Sequence, residues 1–273
     1  MTTPGKAYSP SGGAELLARL ARREAVLALG VRHARTPEIA RIAGAGGYDV
    51  LWVDLEHSTM PVEVAAQICH AGLDLGLFPF VRTPERDVGV IGRLLDGGAR
   101  GIIAPRIETA AEAAQVVEAC RFPPLGHRSA IASLSCFGFA QRSPPDLYQA
   151  ANRATLVKIL IESPRGIENI AAIAALAGVD LLAIGANDLS AELGVPGEMA
   201  HPLMQEAIRA ALLACKQAGK PLVLGGIGDP ATLAGWIEKG AATFLMAGID
   251  TDLLLGATRE RARQAHALLE PSK

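Results

Sequence analysis

At 273 residues, half of them hydrophobic and only 4% aromatic, the chain can bury a large core made mainly of Ala, Leu, Ile and Val. A formal charge of −2 with no Lys/Arg cluster argues against a nucleic-acid partner. No apolar run reaches the roughly 18 residues that a membrane span needs. The length suits one (β/α)8 barrel domain over residues 1–273, since such barrels take about 250 residues.

The opening MTTPGKAYSPSGG (residues 1–13) lacks the apolar stretch of a signal peptide and reads as a flexible lead-in. Ala14–Arg23 is helix-like and Ala25–Gly30 is short and apolar, as a buried strand would be. The pattern then repeats. Helix is expected at Thr36–Ala45, strand at Tyr48–Val53, helix at Pro61–Leu73 and strand at Leu77–Val81. Helix Glu85–Leu95, strand Gly101–Ala104 and helix Thr109–Cys120 follow. Next comes an irregular stretch, Phe122–Ala154, and then strand–helix–strand over Leu156–Ser190. Helix Pro202–Ala218, strand Leu222–Leu224, helix Pro230–Lys239, strand Thr243–Ala247 and a last helix Leu253–Leu269 complete the chain.

Short apolar strands alternating with amphipathic helices imply parallel strands covered on both faces. DGGARGII, LAGVDLLAI and EKGAATFLM each place Gly at a helix end before a strand, which marks repeated αβ units. The expected fold class is therefore α/β, a (β/α)8 TIM barrel. An open dinucleotide-binding sheet is disfavoured because no G-x-G-x-x-G follows the first strand. The long stretch Phe122–Ala154 follows the fourth strand and is expected over the barrel mouth as a lid or specificity loop, with a surface insertion as the alternative. Cys69, Cys120, Cys136 and Cys215 are too widely spaced for a zinc site. They suit buried thiols in a reducing compartment, here the cytoplasm.

In a barrel, chemistry sits where the C-terminal strand ends meet the following loops. The polar residues there are Asp54, Glu56, His57, Arg82, Arg106, Glu162, Asn187 and Asp188. Glu162 and Asp188 close successive strands. As two hard oxygen ligands, they would leave room for substrate on a divalent cation. The bland alternatives are an ion pair of Glu162 with Arg165 and a helix cap by Asp188. Asp54 could orient the imidazole of His57 as a general base, and Glu56 could bond a water on the cation. Arg82 suits a carboxylate or an enolate oxygen, or else a structural ion pair. Lys158 shares a strand face with Leu160 and Glu162. It lies about 13 Å below the strand end and is expected to reach the lower rim rather than to form a Schiff base.

Taken in order, YDVLWVDLEHS, PFVRTP, LLDGGARGIIAPRIETAAEA, FPPLGHRS, YQAANRATLVKILIESPRGIEN, GVDLLAIGANDLSAELG and ATFLMAGID resemble the HpcH/HpaI family of metal-dependent pyruvate aldolases. The resemblance implies a barrel that exchanges its last helix with a neighbour in a hexamer, a trimer of dimers. It implies Mg²⁺, Mn²⁺ or Co²⁺ on Glu162 and Asp188, with Arg82 on the substrate's keto oxygen. His57, oriented by Asp54, would move protons, joined by Asp96 from an adjacent subunit. The turn Gly185-Ala186-Asn187-Asp188 would receive the pyruvate carboxylate through the amides of Asn187 and Asp188. The implied reaction is cleavage or formation of 4-hydroxy-2-oxo acids from pyruvate and an aldehyde, with oxaloacetate decarboxylation as a side activity. A citrate lyase beta or malyl-CoA lyase type of enzyme and an inactive binding barrel are the alternatives. Two departures from the family pattern stand out: Leu160 occupies a position where relatives carry Gln, and Gly-Ala-Asn-Asp replaces Gly-Pro-Ala-Asp.

Overall fold

A computed structural model describes residues 12–268. Eight strands follow one another: β1 (Val26–Val31), β2 (Val50–Asp54), β3 (Phe78–Arg82), β4 (Gly101–Ala104), β5 (Leu156–Ile161), β6 (Leu181–Gly185), β7 (Leu222–Gly225) and β8 (Phe244–Ile249). All neighbours are parallel, and the order runs β7-β6-β5-β4-β3-β2-β1-β8. β7 and β8 are neighbours, but no ladder joins them among the described residues, so the barrel is nearly closed.

Alternation along the strands divides the apolar residues into two cores. Leu29, Leu51, Val53, Ile102, Ile159, Leu182 and Ile184 face outward to the helices. Ala28, Val50, Phe80, Ile103, Leu160, Ala183, Val223 and Phe244 fill the interior. Helix α1 (Gly12–Ala21) closes the N-terminal end with Leu16 and Leu20. Its start places Gly12 and Gly13 in a helix rather than in the expected lead-in; residues 1–11 lie outside the described part, as does residue 269 of the expected last helix. The outer layer comprises α2 (Glu38–Ala45), α3 (Val62–Asp74), α4 (Ile91–Asp96), α5 (Ala110–Cys120), α6 (Pro144–Ala154), α7 (Pro164–Glu168), α8 (Ile170–Ala175), α9 (Ala186–Glu192), α10 (Pro202–Gln217) and α11 (Pro230–Glu238). All four cysteines are buried and free. Among the described residues no helix is long and apolar enough to cross a membrane.

The stretch Phe122–Ala154 departs from expectation twice. It contains α6, and it lies at the end of the barrel opposite the mouth. Arg121, just before it, bonds Asp180 at the foot of β6, and Ser135 bonds His70 near the end of α3. The reason is topological: α5 has already carried the chain back from the C-terminal strand ends. The segment is therefore no lid.

Lys158 also corrects the reading from sequence. Its side chain does point inward, but it is enclosed rather than extended to the lower rim. Its Nζ lies 3.7 Å from the ring centroid of Phe244 and 4.6 Å from those of Trp52 and Phe80, with no hydrogen-bond partner. The ring faces favour a cation, yet desolvation opposes it more strongly and pushes the amine well below its ordinary value of 10.5.

The last helix, α12 (Asp250–Ala267), buries no residue, and Leu253, Leu254 and Leu255 along it are exposed. Asp250 anchors its start by accepting the backbone N–H groups of Arg32, His33 and Ala34.

Lys158 generates a stability prediction. The unfolded chain binds a proton that the folded interior refuses, so stability rises with pH up to the ordinary value of 10.5. Lys158→Met should raise Tm at neutral pH and flatten that rise. Urea unfolding of both proteins across this range checks it, and equal slopes would mean that the buried amine stays charged.

Candidate active site

The C-terminal strand ends converge on one buried carboxylate. Asp54 ends β2 beside Arg82 at the end of β3, and the two are register partners. Arg82 grips Asp54 with a fork, Nε to Oδ1 at 2.9 Å and Nη2 to Oδ2 at 2.5 Å. Arg32, one residue beyond β1, adds Nε to Oδ2 at 2.8 Å. Burial alone would raise Asp54, but the bonds from Arg82 and Arg32 outweigh it and hold the carboxyl at about 2. Arg82 Nη1 lies 2.7 Å from Glu56 Oε2, an ion pair without hydrogen-bond alignment. Burial pushes Glu56 up.

Asp54 therefore does not orient the His57 imidazole as expected. Its Oδ1 accepts the backbone N–H groups of Glu56 and His57, which shapes the turn. The His57 ring, half-exposed, has Nε2 3.9 Å from Glu56 Oε2. Both Asp54 oxygens are occupied by guanidinium groups, which an imidazole cannot displace.

Glu162 follows β5 and is only 3% exposed. One of its oxygens accepts the backbone N–H of Arg106 at 3.0 Å. Burial, with the like charges of Glu56 and Asp188, pushes this carboxyl up to about 7. Gly185, at the end of β6, makes room for it: a Cβ there would sit 2.3 Å from Glu162 Oε1. Asp188 lies in the first turn of α9, a helix whose start carries no side-chain cap. Neither bland alternative holds, because Arg165 faces Glu108 and α9 begins before Asp188, at Ala186.

Arg106 adopts a left-handed backbone, φ 51°, which places its N–H on Glu162 while Nη2 approaches Asp188 Oδ1 at 3.4 Å. From sequence, this arginine is one of the strand-end residues without an assigned role. Arg32 goes unnoticed there because β1 runs one residue further than expected.

Arg32, Asp54, His57, Arg82, Glu162, Gly185, Asn187 and Asp188 all line one cavity of about 190 Å³. Its floor is apolar, formed by Trp52, Leu160, Val223, Phe244 and Met246. Asp96 is elsewhere. It ends α4 at the far end of the barrel and pairs with Arg128 at 2.7 Å, so this chain alone does not bring it to the site.

The donor set fits a hard divalent cation. Glu162 and Asp188 supply carboxylate oxygens in a region of concentrated negative charge, and Glu56 Oε2 is buried without a hydrogen-bond donor. Among the described residues no cluster of three or more His, Cys, Asp or Glu forms a closed cage. Two protein ligands leave coordination positions open for substrate.

The profile of the HpcH/HpaI aldolase/citrate lyase family matches residues 32–257. A 4-hydroxy-4-methyl-2-oxoglutarate aldolase of Chaetomium globosum is 38% identical over 83% of this chain and 86% of its own length. A 4-hydroxy-2-oxovalerate aldolase of Rhodococcus jostii is 39% identical over 80% of this chain and 83% of its own. Among solved structures, an HpcH/HpaI aldolase from Desulfitobacterium hafniense superposes with a TM-score of 0.84 at 27% identity, covering 91% of this chain and 95% of that one. With strand-end acids, arginines and cavity in the same barrel, the chain belongs to the HpcH/HpaI aldolase/citrate lyase family and is a carbon–carbon lyase.

Proposed function

We propose that this enzyme is a divalent-metal-dependent pyruvate aldolase, cleaving or forming 4-hydroxy-2-oxo acids, in which Glu162 and Asp188 hold the cation. The observation that carries the reading is the buried Glu162, which lines one cavity with Asp188 and feels the like charges of Asp188 and Glu56. Such a concentration of carboxylates suits a site completed by Mg²⁺, Mn²⁺ or Co²⁺. When bound, the cation supplies Lewis acidity that polarises the 2-oxo group and stabilises an enolate.

The chain's own residues do the rest. The uncapped first-turn N–H groups of Asn187 and Asp188 receive the substrate carboxylate. Arg82, immobilised by Asp54, offers positive charge to the 2-oxo oxygen as charge builds there. His57 takes the C4 hydroxyl proton, aided by Glu56. The C3–C4 bond breaks, C4 leaves as a carbonyl compound, and C3 of the enolate is protonated to give pyruvate. Oxaloacetate, which has no C4 hydroxyl, would lose CO₂ to the same electron sink.

The substrates for which the relatives are named support this class. 4-Hydroxy-4-methyl-2-oxoglutarate, 4-hydroxy-2-oxovalerate and 2-keto-3-deoxy-L-rhamnonate are all acids with a 2-oxo group, and they differ in what C4 bears. The exposed α12, with its row of leucines, supports exchange of the last helix within a hexamer built as a trimer of dimers, where Asp96 of a neighbouring subunit could complete the site. The four free thiols suit a cytoplasmic setting.

Exhaustive EDTA treatment should abolish aldol cleavage, and Mg²⁺ or Mn²⁺ should restore it. Activity that survives chelation would remove the metal from the mechanism. Glu162→Gln and Asp188→Asn should each weaken Mn²⁺ binding by about tenfold or more, at least the loss that follows removal of a group that merely supports a metal ligand, as measured by calorimetry. Gly185→Ala should weaken it too, because the new Cβ displaces the Glu162 carboxylate.

His57→Ala should slow aldol cleavage by about 10²–10⁴ and spare oxaloacetate decarboxylation. Steady-state assays of both reactions decide, and parallel losses would take the hydroxyl proton away from His57.

A further inference from the structure

We infer that Arg32 is the specificity residue of this site, and that it selects 4-hydroxy-2-oxo acids bearing a second carboxylate on C4. The inference rests on the aldolase reading above and names its substrate class.

Two arginines line the cavity, and they are used differently. Arg82 is 8% exposed, and all three of its nitrogens are engaged by Asp54 and Glu56. Arg32 is 36% exposed in its side chain and makes one side-chain bond, Nε to Asp54. Its Nη groups have no partner among the described residues. A guanidinium fixed at its root, with two parallel N–H donors pointing away from that anchor, is shaped to take a carboxylate bidentately.

Its position is also right. In the ring of eight strands, β1 stands four strands from β5 in either direction. Arg32 therefore faces Glu162 across the mouth. A substrate held by its 2-oxo acid end at β5 and β6 projects C4 and its substituents toward β1. The floor beneath is apolar and offers no other partner to a charged C4 substituent.

The backbone that carries Arg32 is held on both sides. Asp250 accepts the N–H groups of Arg32 at 3.0 Å, His33 at 2.9 Å and Ala34 at 2.7 Å. Arg35 Nη1 donates to the carbonyls of Arg32 at 2.7 Å and His33 at 2.8 Å. A loop clamped in this way presents its side chain in one place, as discrimination between substrates requires.

The chemistry is unchanged. The C4 hydroxyl gives up its proton, the C3–C4 bond breaks, and the electron pair goes to the pyruvate enolate. The carbonyl product is then itself a 2-oxo acid, with its carboxylate still on Arg32. In the direction of synthesis, the enolate adds to the keto or aldehyde carbon of that acid.

The test compares two substrates that differ only at C4, 4-hydroxy-2-oxoglutarate and 4-hydroxy-2-oxovalerate, with the metal-loaded enzyme. The expected ratio of their kcat/KM values is about 100 in favour of the diacid, the upper range for hydrogen bonds to a charged group at a partly exposed arginine. Arg32→Gln should bring the ratio near one, and Arg32→Lys should recover part of it. Arg106→Gln, which removes the cation beside Asp188, should lower both kcat/KM values together and leave their ratio standing. A ratio unchanged in Arg32→Gln, however large the overall loss, would mean that Arg32 only supports Asp54 and would overturn the proposal. So would a ratio that collapses in Arg106→Gln instead. Exchange of the pyruvate methyl protons in D₂O reads the aldolase activity separately. Exchange without any preference for the diacid defeats the role of Arg32 alone, whereas neither exchange nor cleavage defeats the aldolase reading and this one with it.

Discussion

The site is organised around the Asp54 carboxylate. It joins three chain segments that are far apart in sequence: the β1–α2 loop through Arg32, the end of β3 through Arg82, and the following turn through two backbone N–H groups. Taking ions out of water costs several kcal/mol each, and a lone pair in that setting often contributes little net stability. Here the carboxylate is saturated by donors, so removing either guanidinium would strand buried charge. What the arrangement secures is position. Arg82 cannot swing away from the cavity while its fork is closed on Asp54.

Opposite this paired corner, the β5–β6 side is left unbalanced. Glu162 has a single backbone donor, feels Asp188 and Glu56 as like charges, and is driven up to about 7. Asp54 is matched by two guanidinium groups and Glu162 by far less positive charge, and under the proposed function this contrast would separate two tasks, holding a cationic side chain and binding a cation from solution. Lys158 shows that the imbalance is local. It sits on the same strand face as Glu162, but the aromatic rings and Leu160 keep it in the apolar interior, where it does not neutralise the acids above. Schiff-base chemistry on Lys158 has no support in this geometry, since the amine is wholly buried beneath the cavity floor.

The sequence made the parallel barrel legible because each αβ unit repeats the same local signals, and strand alternation then places Arg82, Glu162 and Asp188 at the mouth. What it hid were matters of side-chain partnership. Asp54 and His57 look like a catalytic pair by spacing, yet the carboxylate prefers two guanidinium groups, one of them arriving from twenty-two residues upstream. Asp96 illustrates a different limit: its own chain pairs it with Arg128, and only a second chain could bring another Asp96 to the mouth. The length of the stretch Phe122–Ala154 suggests a lid, but its place in the chain puts it at the other end: it follows α5, and a segment between a helix and the next strand lies at the strands' N-terminal side.

In the proposed hexamer, the last helix would link assembly to the site. Isolated helices owe little stability to propensity alone, and α12 buries no residue on its own barrel. Its leucines therefore require another surface, and a neighbouring copy of the same barrel meets that need within the proposed hexamer. The helix nevertheless begins at Asp250, whose carboxylate is held low: burial raises it, but four backbone N–H bonds lower it further. Three of those bonds fix the loop bearing Arg32. Asp250 thus ties the start of α12 to the loop that carries Arg32 on the cavity wall. In the proposed hexamer, the same helix would pack on a neighbouring barrel, and the position of that wall would then depend on assembly as well as on the local fold.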